Sequence, residues 1–205
     1  MKKVFYLLPL VVFVTIGAVL SFTTEGQTIV QQIKPNKVIY IQPMGDVKQE
    51  YLELVEKTVE SFYGFECIVN PKDPLTNNLL AESKTRYSAN KILRQYRGKD
   101  NYLILTEKDI ATPSRGYPEW GVLGLGYRPG SVCVVSTFRM KRNVSVDVIK
   151  ERIKKVSIHE VGHNLGLDHC TNHPECLMND ANGTIKQVDR EKMWLCDRCK
   201  QIIGM

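Results

Sequence analysis

No long block of basic residues interleaved with aromatics occurs in this sequence, which weighs against a nucleic-acid-binding surface. The net charge of +6 is instead spread over short groups, from Lys84 to Arg97 and from Lys141 to Lys155, as on solvated helix faces. There is no internal repeat, so neither a solenoid nor a propeller is indicated. An apolar share of 43% and a charged share of 24% exclude a disordered chain or a collagen-like fibre. No cysteine lies directly after the N-terminal apolar run, which argues against a lipoprotein anchor. The stretch from Thr23 to Lys37 is too short for a folded inhibitory domain and has no cysteine to cap a metal.

What is present begins with Lys2 and Lys3 ahead of an apolar run from Val4 to Leu20, the pattern of an export signal. Residues 1–22 are expected to be a signal peptide or a membrane anchor, 23–37 a linker and 38–205 one domain. The protein is therefore expected to be exported, either released or tethered through residues 4–22, and otherwise monomeric.

Strand and helix patterns alternate along the domain. Val38 to Met44, Phe65 to Val69, Tyr102 to Thr106 and Val132 to Ser136 read as strands. Val47 to Phe62 carries a helical apolar stripe and Gly64 is a plausible stop. Ala81 to Tyr96 also reads as a helix, and another runs from Val144 through Lys155 into His159. Thr112 to Gly130 holds five glycines and three prolines, which suits a sheet edge approached by another backbone. Asp189 is expected to cap a last helix carrying Met193 and Trp194. The fold class is α/β, bordering on α+β.

The chemistry is concentrated near the C terminus. His159-Glu160-Val161-Gly162-His163 is an H-E-x-x-H motif: on a helix the two imidazoles face one way and can grip one ion, with Glu160 beside them. Asn164 to His169 extends it to H-E-x-x-H-x-x-G-x-x-H. Gly166 can take a left-handed conformation, end the helix and turn His169 back as a third ligand. Three protein ligands and one open position mark a catalytic rather than a structural zinc. Glu160 is the expected general base, taking a proton from zinc-activated water and passing it to the leaving amine.

Cys170, Cys176, Cys196 and Cys199 have the spacing of a four-thiolate zinc site, with two disulfides as the competing arrangement. Cys67 and Cys133 read as buried thiols. His173 reads as a surface residue, and Asp168 as either a support for His169 or a solvated turn residue. The glycine-rich segment from Trp120 to Tyr127, with Gly124 and Gly126 within it, is a candidate substrate-binding edge by strand addition.

The run from His159 to Cys199 resembles the archaemetzincins, a branch of the metzincins with the signature H-E-x-x-H-x-x-G-x-x-H-C, C-x-M and C-x-x-C. Met178, in Cys176-Leu177-Met178, stands where that family has its Met-turn methionine, and seventeen residues separate it from Cys196. Five residues, Thr171 to Glu175, lie between Cys170 and Cys176 where the family has four. The stretches Leu103 to Asp109 and Val134 to Arg139 are similar to family strands. The resemblance implies a metzincin-like zincin with a mixed twisted sheet behind an active-site helix and a small zinc-stabilised C-terminal part. It further implies two zinc ions, one on the histidines and one on the cysteines, with Met178 beneath the first. A zinc metallopeptidase acting on peptides or proteins is the expected function, with aminopeptidase and endopeptidase both open. Two other readings remain, a zinc-stabilised peptide-binding module without turnover and a metal-dependent hydrolase of a non-peptide amide.

Overall fold

The computed structural model describes residues 37–205. The expected signal or anchor and nearly all of the linker lie outside these residues. Among the described residues no helix is long and apolar enough to cross a membrane.

The chain runs β1 (Val38–Pro43), α1 (Gln49–Tyr63), β2 (Glu66–Val69), β3 (Tyr87–Ser88), α2 (Ala89–Tyr96) and β4 (Tyr102–Thr106). It continues through β5 (Ile110–Ser114), β6 (Tyr117–Val122), β7 (Gly124–Gly126) and β8 (Val132–Ser136), then α3 (Val146–Asn164), α4 (Ile185–Arg190) and α5 (Asp197–Ile203). Five strands form one mixed sheet in the order β2-β1-β4-β8-β7. The first four are mutually parallel and β7 is an antiparallel edge on β8. A smaller sheet, β3-β5-β6, carries the hairpin ahead of that edge.

The apolar strands of the large sheet are buried on both faces, as parallel strands between helices are. Ile41, Leu103, Leu105, Cys133 and Val135 face α1 and α3, whereas Ile104, Val132 and Val134 face α2. The cluster under α1 and α3 reaches Met178 and all four C-terminal cysteines, so the sheet core and the metal-ligand region are one packed body. Gly64 ends α1 in a left-handed conformation at φ 69°, its N–H donating to the Glu60 carbonyl at 2.9 Å, as expected of that residue.

Two helical expectations need correction. The helix expected from Ala81 begins at Ala89, because Tyr87 and Ser88 pair with β5 and the Ser88 hydroxyl caps the Lys91 N–H. The last helix does not start at Asp189. That residue lies inside α4, where its carboxylate accepts a bidentate hydrogen bond from Arg152, and the final helix is α5. Met193 and Trp194 fall between the two, and the Trp194 carbonyl accepts from the Leu177 N–H at 2.9 Å.

Candidate active site and metal centres

The site hangs on the C-terminal turn of α3. Ser145 caps the start of the helix. Near its end, the buried Asn164 amide donates to the Tyr127 and Val132 carbonyls at 2.8 and 3.0 Å, pinning α3 to the β7–β8 hairpin. The helix stops at Asn164, and Gly166 follows at φ +100° with its N–H on the His163 carbonyl. A left-handed Gly166 was expected, and it turns His169 back towards the helix.

His159, His163 and His169 then converge, each offering one ligand atom within 4.8 Å of the others. His163 Nδ1 is 2.7 Å from the Leu167 carbonyl and His159 Nδ1 is 2.8 Å from the Leu177 carbonyl. Each backbone bond fixes the ring and leaves Nε2 free as a ligand. Burial, with His163 adding to it, pulls His159 down to about 3, and burial also lowers His163. Both rings are thus held neutral, the form a metal needs. His169 is half-exposed and its Nδ1 lies 3.9 Å from the Asp180 carboxylate.

Asp180 is the carboxylate beside His169, and the sequence did not reveal it. Asp168, the residue considered as a support for His169, is exposed and paired with Arg128. His173 is half-buried, packed edge-on against Trp194, and outside the histidine trio.

Two glycines make room for the site. A Cβ on Gly162 would sit 2.6 Å from the Met178 sulfur, so the second x of H-E-x-x-H lets Met178 pack directly against α3. A Cβ on Gly124 would sit 2.5 Å from Glu160 Oε1. Glu160 is buried under β7, and burial pushes its carboxyl up to about 8. On either side of β7 the Leu123 carbonyl accepts from the Ser136 N–H and the Tyr127 N–H donates to the Val132 carbonyl of β8. By the alternation of an antiparallel ladder, the backbone groups of Gly124 and Gly126 face the free edge.

The four cysteines form a second, buried cluster. Cys170 Sγ is 3.6 Å from Cys196 Sγ, and Cys176 Sγ is 3.8 Å from Cys199 Sγ. These are too long for disulfides, and they match the edge of about 3.8 Å of a tetrahedron with zinc–sulfur arms of about 2.3 Å. Burial pushes Cys196 up, but hydrogen bonds from the Cys199 backbone and the neighbouring thiols outweigh it and leave the thiol at about 7. The Cys170 N–H donates to the Met178 carbonyl at 2.7 Å, joining the cluster to the turn beneath the histidines. Cys67 on β2 and Cys133 on β8 are separated by β1 and β4 and stay unpaired buried thiols.

A cleft of about 1220 Å³ runs between β6–β7 and the segment after Met178, with the histidine trio and Glu160 on its floor. Residues 80–204 match the profile of Peptidase family M54. The chain belongs to this family. It is 30% identical over 174 residues to an archaemetzincin of Halobacterium salinarum, covering 80% of this chain and 97% of the relative. Its identity to an archaemetzincin of Archaeoglobus fulgidus is 30% over 161 residues, 78% of this chain and 95% of that one. The crystal structure of the A. fulgidus archaemetzincin complexed with malonate matches at a TM-score of 0.71, covering 81% of this chain and 99% of that one. The archaemetzincin of Methanopyrus kandleri, 26% identical, matches at 0.70, with 83% and 96% covered. As an archaemetzincin the chain is a zinc metallopeptidase with peptide or protein substrates.

Proposed function

We propose that the enzyme hydrolyses peptide bonds with His159, His163 and His169 holding the catalytic zinc and Glu160 as general base. The observation that carries this reading is the approach of three imidazoles, those of His159 and His163 held neutral by burial, to one point beside a buried carboxyl in the cleft. Cys170, Cys176, Cys196 and Cys199 hold a second, structural zinc, supported by sulfur spacings close to a tetrahedron's edge. When bound, the catalytic zinc supplies Lewis acidity, acidifying a water and polarising a carbonyl.

The chain's own groups do the rest. Glu160, lifted by burial towards neutrality, accepts a proton from water and returns it to the leaving amine. The free backbone groups of Gly124 and Gly126 hold an extended peptide by strand addition over Glu160. Met178 fills the space under the histidines, and its turn orients His159 through the Leu177 carbonyl. The Lys2–Lys3 pair and apolar run support export of the domain, released or tethered by residues 4–22.

The test is a mixed-length peptide library offered to the zinc-loaded protein and to Glu160→Ala with the same zinc content. Cuts made by the parent and absent from the variant are expected. Cuts that persist in the variant remove Glu160 from the mechanism. No cuts by either, with zinc bound, favour the binding-module or non-peptide reading.

A further inference from the structure

The cleft has a closed end, and three arginines, Arg86, Arg115 and Arg139, line it. Arg115, in the β5–β6 turn, donates to Asn182 Oδ1 at 2.7 Å and lies 3.8 Å from Asp180 Oδ2. Trp120 occupies the space over Gly183, where a Cβ would fall 2.6 Å from Cζ2. Arg115, Trp120, Asp180 and Gly183 all line the cleft, so its two rims meet here. Arg86 and Arg139 stand at this contact, lining the cleft and also a shallower hollow of about 340 Å³ beyond Trp120.

These two arginines share one carboxylate. Arg139 donates to Asp109 through Nε and Nη2 at 2.7 and 2.9 Å, and Arg86 donates through Nε at 3.0 Å. Within this trio two guanidinium groups on one carboxylate leave a positive charge over, on side chains 34% and 36% exposed; Arg86 also donates through Nη1 to the Glu119 carbonyl at 2.9 Å, and the nearby Glu119 carboxylate is engaged by the Ser83 N–H. The Arg139 guanidinium lies against Gly121, where a Cβ would fall 2.0 Å from Nη2. Gly121 comes three residues before Gly124, the residue over Glu160, at most about 10 Å along a chain that bends at Leu123.

A peptide terminus meeting this wall meets surplus positive charge. The carboxylate end fits there and an ammonium end is repelled. The substrate then runs antiparallel to β7, which is also the better-bonded pairing for an edge strand. We propose that the Arg86–Arg139 pair receives the substrate's C-terminal carboxylate, so that the enzyme releases fragments of about two or three residues from peptide C termini. The proposal rests on the peptidase reading above, with an extended substrate along β7. Water adds across the scissile amide, the N-terminal portion keeps the new carboxylate, and the short fragment leaves as the amine.

The experiment uses matched peptides ending in a free acid or an amide, plus an amide with Asp three residues past the cut. Product masses locate the cuts made by the zinc-loaded enzyme. Cuts two or three residues from a free C terminus, and a kcat/KM at least tenfold higher for the acid than for the amide, are expected. In Arg86→Met the acid-to-amide ratio falls towards one through KM, and Arg86→Lys recovers part of it. Turnover of the Asp amide as fast as the free acid would assign the pair to an acidic side chain and overturn the terminal assignment. Equal rates for acid and amide, with cuts spread along the peptides, overturn the proposal and leave the peptidase reading standing. Absence of any cut is a failure of the peptidase reading, and binding then decides the carboxylate claim. Tryptophan fluorescence of zinc-loaded Glu160→Ala reports tighter binding of acid over amide if the claim holds, and equal binding if it does not.

Discussion

At the scale of single residues, the site depends on side chains that are missing. Gly124 has no Cβ because Glu160 occupies that space, so Gly124→Ala displaces the carboxylate. Its expected effect is a loss in kcat of about 100-fold, the cost of misplacing a catalytic group by about 1 Å, with zinc content unchanged. Parent-like turnover in Gly124→Ala contradicts this placement of Glu160. The same geometry means that substitutions at Gly124 and Gly126 are poor probes of peptide pairing, since both sit against α3. N-methylation of successive amides of the substrate probes the pairing cleanly. Glu191 is a second buried carboxyl, also lining the cleft, raised by burial to about 8, with Oε1 lacking a hydrogen-bond partner. Its folded value lies above the ordinary carboxylate value, so the folded state binds the extra proton and stability falls as pH rises from about 4.5 towards 8. Urea denaturation at pH 6 and pH 8 is expected to show Glu191→Gln losing less stability between the two than the parent; identical losses contradict it.

At the scale of elements, α3 and the cysteine cluster act as one support. The Cys170 N–H holds the Met178 carbonyl, and the Leu177 carbonyl holds His159 Nδ1. Cys170→Ser is therefore expected to weaken zinc binding at the histidines by about tenfold although it touches that ion nowhere. A metal titration that finds the histidine site unchanged removes the coupling. Asn164→Ala leaves the Tyr127 and Val132 carbonyls without their side-chain donor and is expected to cost about 1–3 kcal/mol in chemical denaturation. These elements also differ in how far the sequence revealed them. The convergence of the three histidines was legible because their spacing is local: His159 and His163 share a helix face, and Gly166 turns the chain within a few residues. The start of α2 and the split between α4 and α5 were not, because pairing of Tyr87 with β5 and the Arg152–Asp189 bridge are long-range. Asp180 was hidden for the same reason, since only the folded turn after Met178 brings it to His169.

For the whole molecule, the sheet core and the cysteine cluster form one packed body, so a metal held by the four cysteines, as proposed, would belong to the fold. Its removal is expected to lower the melting temperature and the affinity of the histidine site together. Four strands of the large sheet, the glycine-rich edge and the helix of the H-E-x-x-H motif were legible from pattern; the parallel pairing of those strands and the closure of the cleft by Arg115 and Trp120 were not, because they join segments far apart in the chain, more than sixty residues for the closure. The most direct test of the central claim is to return zinc stepwise to metal-free protein while following cleavage of the peptide library, beside His163→Ala. Two zinc ions bound per parent chain, one per His163→Ala chain, and cleavage only in the parent with both ions bound are the predicted results. Cleavage by the metal-free protein, or undiminished cleavage by His163→Ala, would contradict the account.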